Sequence, residues 1–289
     1  MAGVSTVSAG FRTIYQDEFK MDFERNVSKL KLAVNTNGVI HGDTVKWDVA
    51  STGDEATTRG RNGNIPEGEQ GQSQVSATLQ EHFSSKKKID KFDEFRNNPN
   101  VRSIHYQRAQ ATLWRSVDQV IIDALDASAS TLSSGNGSSG TAAGLSTLAN
   151  VDTWLEALLN NDVPSDDGNI FAVISVRASL LLQKIAEFKS HDYVDYKPIP
   201  DMPGARMLQW QGIKWITFNG LTGKTTNSCK MYLFHSSAIG HLLSGDPEMH
   251  AYYYEPQDRW ETYGKIMHCA KTCLSRGVIR WYHDDTASL

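Results

Sequence analysis

Residues 98–128, NPNVRSIHYQRAQATLWRSVDQVIIDALDAS, hold the longest uninterrupted helical pattern in the chain. Val101, Ile104, Ala109, Leu113, Val117, Val120, Ile121 and Ala124 recur at spacings of three and four, while Arg102, Arg108, Arg115, Asp118 and Asp123 fall mostly on other faces. Asn98 is placed to cap the helix, and Pro99 takes the first position, where a missing N–H costs nothing. At 1.5 Å per residue the segment predicts a rod of roughly 40 Å, against ~11 residues for an ordinary helix. Such a rod crosses its domain and gives other elements a straight edge to pack on. Alone it is a long core helix, and its neighbours must decide more.

Upstream, residues 41–90 have a different period. Val45, Trp47 and Val49 alternate with polar residues, as do Val75, Ala77 and Leu79, which predicts two half-buried strands. Between them runs ASTGDEATTRGRNGNIPEGEQGQSQ (50–74), rich in Gly, Thr and charge and far longer than a hairpin turn. It is either a surface loop or a long two-stranded flap ordered by lying across a partner, because an isolated ribbon is marginal in water. In the second case Arg59 and Arg61 sit near its tip, placed to meet carboxylates next door. The run Lys86, Lys87 and Lys88 closes the segment and is expected to be a solvated, lysine-guarded strand edge. Phe11–Val34 forms an amphipathic arm in which Phe11, Ile14, Tyr15, Phe19 and Phe23 have roughly helical spacing. Its apolar stripe must dock on this chain or on a neighbour.

Downstream, SASTLSSGNGSSGTAAG (128–144) has the composition of a flexible link. A mixed unit follows: a helix over 151–159, a Pro/Asp/Gly turn, a buried strand IFAVISV (170–176) and a helix over 177–188. Strands are expected at 210–218 and 231–234, separated by NGLTGKTTNS. Paired strands are expected across 249–282, with a turn at Ser275–Gly277.

Composition sets outer bounds on function. The chain has 289 residues, 39% of them hydrophobic and 21% charged, which suits one or two sizeable cores. No apolar run approaches the ~18 residues of a bilayer span, and the N-terminus lacks a basic region followed by an apolar core, so no membrane partner and a cytoplasmic site of synthesis are expected. Cys229, Cys269 and Cys273 are too few and too scattered for a disulfide framework, and free thiols are expected. A net charge of −4 makes no electrostatic case for a dedicated nucleic-acid binder.

Motifs for chemistry fail on inspection. Gly223, Lys224 and Thr225 match the end of a phosphate-binding loop, but Phe218 stands where its first glycine is required, and the residues after it read as a strand with no helix N-terminus to hold phosphates. Asp162, Asp166 and Asp167 lack the alternation and closing glutamate of a calcium loop and read as a turn. His268, Cys269 and Cys273, with His250 as the only further ligand, do not make a zinc set. There is no nucleophile elbow and no Cys-x-x-Cys. No catalytic, cofactor-binding or metal residue is therefore assigned, and an assembly role is favoured over catalysis.

The order of parts and the local wording point one way. ATTRGRNGNIP (56–66), RSVDQVIIDALDASAS (115–130), NDVPSDDGNIFAVIS (161–175) and FHSSAIGH (234–241) resemble major capsid proteins of tailed bacteriophages, over nearly the whole chain. The resemblance implies an α+β, Hong Kong 97-like phage capsid fold. Its parts would be an N-terminal arm (1–40), an extended E-loop hairpin (41–90), a P-domain with a long spine helix (91–150), an A-domain (151–247) and P-domain return strands (248–289). It implies self-assembly into hexamers and pentamers of an icosahedral shell around double-stranded DNA, which is enclosed without sequence-specific binding. The site would be the virion, with assembly in the host cytoplasm. Implied partners are copies of the chain, the portal, and scaffolding or decoration proteins. Phe19, Phe23, Arg59 and Arg61 are the candidate inter-subunit contacts. Where some relatives carry a cleaved scaffolding segment, the arm here begins almost at once, so scaffolding is expected to be separate or absent. No lysine–asparagine pair is singled out for crosslinking. An encapsulin-type nanocompartment shell is the alternative reading, and a nucleotide-binding enzyme a distant one.

Overall fold

The structure, a computed structural model, describes residues 27–50, 58–65, 71–91, 101–132, 134–186 and 208–286. In chain order its elements are β1 (Val39–His41), β2 (Thr44–Ala50), β3 (Gln72–Thr78), β4 (Gln80–Phe83), β5 (Lys87–Asp90), α1 (Val101–Ser128), β6 (Ser130–Thr131) and α2 (Leu148–Leu159). These are followed by β7 (Ile170–Ile174), α3 (Val176–Leu182), β8 (Leu208–Trp210), β9 (Ile213–Thr217), β10 (Cys229–His235), β11 (Ile239–Leu243), β12 (Glu248–Tyr254), β13 (Arg259–Thr272) and β14 (Val278–His283). The expected rod is present as α1, 28 residues long. The Asn98 cap, Pro99 and the arm residues Phe11 to Phe23 lie outside the described residues.

The chain divides into two compact units. The first takes Gln80–Asp118 and Leu243–His268. Here β13 is the central strand, paired antiparallel with β12 on one side and with β4 and β5 on the other. Ala111, Leu113 and Val117 of α1 are buried in this unit, and Leu113 and Met249 close over Gly264, where a Cβ would lie 2.9 Å from Leu113 Cδ1. Between β4 and β5 the register slips by one. Phe83 faces Lys265 and Lys87 faces Thr262, so three residues on one side oppose two on the other. This is a bulge, and it re-aims the side chains that follow it. The Ser84 hydroxyl fills the gap, accepting from the Gly264 N–H at 2.7 Å.

The second unit takes Lys29–Leu79, Gln119–Leu242 and Cys269–Leu289. Its main sheet has the order β6-β14-β10-β7-β9-β8. Strand β7, IFAVI, is buried at every position, as expected of an inner strand with both faces covered. On one face α2 inserts Val151, Trp154 and Leu158, three residues at helical spacing and all fully buried. Trp154 lies 5.9 Å from Trp281 and 6.3 Å from Trp215, ring centre to ring centre, and its indole N–H donates to the Ile279 carbonyl at 3.3 Å. Serine 175 caps α3 by accepting from the Ala178 N–H at 3.0 Å. The single strand expected at 210–218 is instead a hairpin. Gln211 and Gly212 both take positive φ, 52° and 73°, which is the two-residue turn that suits twisted strands, and β8 folds back on β9.

The Gly/Ser-rich segment after α1 is not the flexible link that its composition predicts. Ser130 and Thr131 add a parallel strand beside β14, Gly137 donates to the Thr141 carbonyl at 2.8 Å, and the Tyr282 N–H donates to the Gly137 carbonyl at 2.8 Å. Glycine is required here because φ is +81° and a Cβ would lie 2.2 Å from the Trp281 indole. Small residues serve close approach in this stretch, and composition alone does not distinguish that use from freedom.

The flap also belongs to this unit. β2 and β3 pair antiparallel from Thr44↔Thr78 to Ala50↔Gln72, and β1 adds a third strand not foreseen from the sequence. Val45 and Trp47 are buried against Cys269, with Ala77, Leu79, Leu242 and Cys273 around them. The Trp47 indole lies directly on Gly240, where a Cβ would come within 2.4 Å of it. Gly240→Ala is therefore predicted to destabilise the protein by about 1–3 kcal/mol through overpacking, read as a lowered thermal midpoint; an unchanged midpoint would show that Trp47 is not held against this backbone.

Candidate assembly surfaces

Of the candidate contacts, Arg59 and Arg61 lie among the described residues, and Phe19 and Phe23 do not. Residues 58–65 are exposed throughout. The chain turns at Gly60–Gly63, where the Gly63 N–H donates to the Gly60 carbonyl at 3.0 Å and Asn62 takes φ 69°. Arg59 reaches back to the Gly63 carbonyl at 3.1 Å, and Ile65 is 74% exposed. The flap thus has an apolar, packed base and an exposed tip carrying two cations and one large aliphatic side chain.

A second surface lies in the same unit, at the acidic turn before β7. A cavity of about 200 Å³ is lined by Asn161, Asp162, Val163, Pro164, His235, Ser237, Ala238, Leu274, Arg276 and Gly277. The His235 imidazole organises its floor, with Nε2 2.8 Å from Asp167 Oδ2 and Nδ1 2.7 Å from Ser237 Oγ. A serine, a histidine and an aspartate in line suggest a nucleophile, but the Ser237 N–H also donates to Nδ1, so the imidazole caps the short 3₁₀ turn at Ser236–Ala238. The Asn169 N–H, and then His235, hold the Asp167 carboxyl below the usual carboxylate range. Asp162, Asp166 and Asp167 are exposed, and they form the turn expected of them. Leu274, on the cavity's opposite wall, is 41% exposed. Ser237 and Leu274 are shared with a neighbouring groove of about 430 Å³ beside Trp47 and Val39.

The first unit carries a polar clasp that sequence reasoning missed. Lys86 was expected to be solvated, but the bulge after β4 turns it onto the face of β13 that carries Glu261. Its Nζ lies 3.0 Å from Glu261 Oε2 and donates to Tyr252 Oη at 2.7 Å. Tyr252 Oη donates to Glu261 at 2.5 Å, and Arg259 donates to the other carboxylate oxygen at 2.6 and 2.8 Å. The Glu261 side chain is 4% exposed, and a buried carboxylate needs partners of this kind. The Tyr252 hydroxyl, then Lys86 and Arg259, bring its pKa down to about 2 from 4.5. The signal lay in parity. A strand reading without the bulge points Lys86 to the other face.

The phosphate-loop look-alike can be judged directly. Gly223, Lys224 and Thr225 lie in a tight turn that leads into β10, a strand, and no helix N-terminus follows. Thr225 is held at φ 66°, uncommon for a β-branched residue, by its N–H donating to Asp285 Oδ2 at 2.9 Å, while Asp285 Oδ1 accepts from Ser175 at 2.6 Å. The loop is built to hold the C-terminal strand. Cys229, Cys269 and Cys273 are free, and burial pushes the Cys229 thiol up to about 12 and Cys269 to about 11, which leaves both inert. Among the described residues no group of three His, Cys, Asp or Glu could hold a metal ion, and no helix is long and apolar enough to cross a membrane.

Comparison with known proteins gives the family of the chain. The family model described as phage capsid protein matches residues 7–284. The chain belongs to the phage capsid protein family. No curated protein matches it. Among solved structures it is similar to the capsid of cyanophage Pam1, with TM-score 0.70, 14% identity and 100% of each chain covered, and to that of cyanophage P-SCSP1u, with TM-score 0.69, 12% identity and 94% and 92% covered. A virus-like particle from Pyrococcus furiosus is also similar, with TM-score 0.56, 9% identity and 88% and 92% covered. The capsid protein therefore has the α+β, Hong Kong 97-like fold and is a structural major capsid protein.

For the clasp of this capsid protein the pH dependence has a definite sign. Glu261 is ordinary when unfolded and depressed when folded, so its contribution is complete above about pH 4.5 and is lost as pH falls toward about 2. Urea midpoints measured between those values should fall more steeply for the wild type than for Glu261→Gln; parallel curves would mean that the clasp does not hold the carboxylate charged.

Proposed function

We propose that this capsid protein is the repeating subunit of an icosahedral phage head, self-assembling into hexamers and pentamers that enclose double-stranded DNA, and that it carries no catalytic activity. The observation that carries this reading is the flap: a hairpin with a packed base and a wholly exposed tip makes sense only when a neighbour completes it. A contact between two different patches on identical subunits closes into rings by rotation, which is how five- and six-membered capsomers arise. In this reading residues 41–90 are the E-loop, 91–150 the P-domain with α1 as spine helix, 151–247 the A-domain, 248–289 the return strands, and 1–40 an arm that lies on a neighbour through Phe19 and Phe23. The net charge of −4 suits a container that must not hold its DNA along the wall. The portal, together with scaffolding or decoration proteins, completes the head, and assembly takes place in the host cytoplasm. The encapsulin-type shell ranks second, since the family model that matches residues 7–284 is described as phage capsid protein.

Arg59→Glu combined with Arg61→Glu is predicted to lower particle yield and the heat stability of the particles, while leaving the unfolding midpoint of the unassembled subunit within about 0.5 kcal/mol of wild type, as for exposed residues generally. Electron microscopy and differential scanning calorimetry read the two quantities separately. Particles of undiminished yield and stability would remove the flap tip from the contact. Titration with ATP should show no binding, and none that Lys224→Ala alters.

A further inference from the structure

The flap tip carries cations and the acidic turn carboxylates, each beside an exposed aliphatic side chain. Residues 58–65, TRGRNGNI, carry Arg59, Arg61 and the 74%-exposed Ile65 and contain no carboxylate. Residues 161–167, NDVPSDD, carry three carboxylates and no cation, and they edge a cavity whose apolar wall is Val163, Pro164, Ala238 and Leu274. Residues 58–65 are exposed at every position, and among the described residues Arg59 bonds to its own turn at Gly63. The cavity is likewise open, with Leu274 41% exposed at its edge. Asp167 is already engaged by His235, which leaves Asp162, on the cavity lining, and the exposed Asp166 as the other carboxylates of the turn. Arg276 stands on the cavity lining as well.

We propose that Ile65 of one subunit seats in the Val163–Pro164–Ala238–Leu274 cavity of a second copy of this chain, with Arg59 and Arg61 meeting Asp162 and Asp166. This rests on the shell reading above and names the partner site of the flap. An aliphatic knob on one part of a molecule and a matching hole on another make a head-to-tail contact, the type that closes into rings. Exposed rim charges of this kind steer and register the approach more than they hold it, so the seated isoleucine carries the grip.

The test introduces Ile65→Cys and Leu274→Cys together, with each single variant alongside, into particles imaged by electron microscopy, oxidised mildly and run on a non-reducing gel. The expected result is a ladder of covalent multimers in the paired variant, with a 65–274 disulfide identified by mass spectrometry. Intact particles with no ladder beyond that of the single variants would overturn the contact and leave the shell reading standing. Absence of particles from the unaltered chain under assembly conditions would instead overturn the shell reading, and this contact with it. Should the paired variant not assemble, Ile65→Ser decides: a particle melting temperature several degrees below wild type supports the seat, and an unchanged one overturns it.

Discussion

The Trp47 indole pressed on the backbone of Gly240 is the contact on which the base of the flap depends. Two strands and a long tip cannot stabilise themselves in water, because a ribbon exposes as much as it buries. Here the base of the ribbon borrows a core. Val45 and Trp47 share one buried cluster with Cys269, and Leu242 and Cys273 pack around it. The absence of a side chain at Gly240 lets a whole indole lie flat. The base of the flap is thereby fixed, while residues 58–65 are exposed.

Buried charge does comparable work elsewhere, one unit at a time. In the second unit Asp126, on the last turn of α1, is held by Lys230 at 2.8 Å and Arg280 at 2.8 Å, so the helix end is tied to β10 and β14. Burial pushes the Asp126 carboxyl up, but the Lys230 hydrogen bond and the Arg280 charge outweigh it and hold the group below its ordinary range. Asp285 ties the C-terminal strand to the cap of α3 and to the strained Thr225. In the first unit Glu261 gathers Lys86, Tyr252 and Arg259. Each node is a carboxylate with several donors, and at the buried Glu261 and Asp285 removing a partner would leave charge in a dry place. Such nodes specify one arrangement of packed elements, which a subunit needs if its contacts are to repeat around a shell.

Periodicity made much of this legible. The 3.6-residue stripe found α1, and the alternation of Val45, Trp47, Val75 and Ala77 found the flap strands, because each pattern reports a face buried along its whole length. What escaped depends on local geometry that periodicity does not carry. The Gln211–Gly212 hairpin splits what reads as one strand. The bulge at residues 84–86 reverses the parity that assigns Lys86 to a face. The glycines near 137 read as slack but exist to admit Trp281. For the candidate contacts, residue type marked Arg59 and Arg61 as cations in a long loop. Ile65 stood out only once its exposure was known, since a single isoleucine has no pattern of its own.

This chain is proposed to build a closed shell from copies of itself. Negative-stain electron microscopy with solution sizing, on the chain expressed alone and then with the other head proteins of its phage, tests it most directly. Closed icosahedral particles, or rings of five and six, are the expected result. A monodisperse monomer under both conditions would contradict it and would mean that the flap tip finds no neighbour.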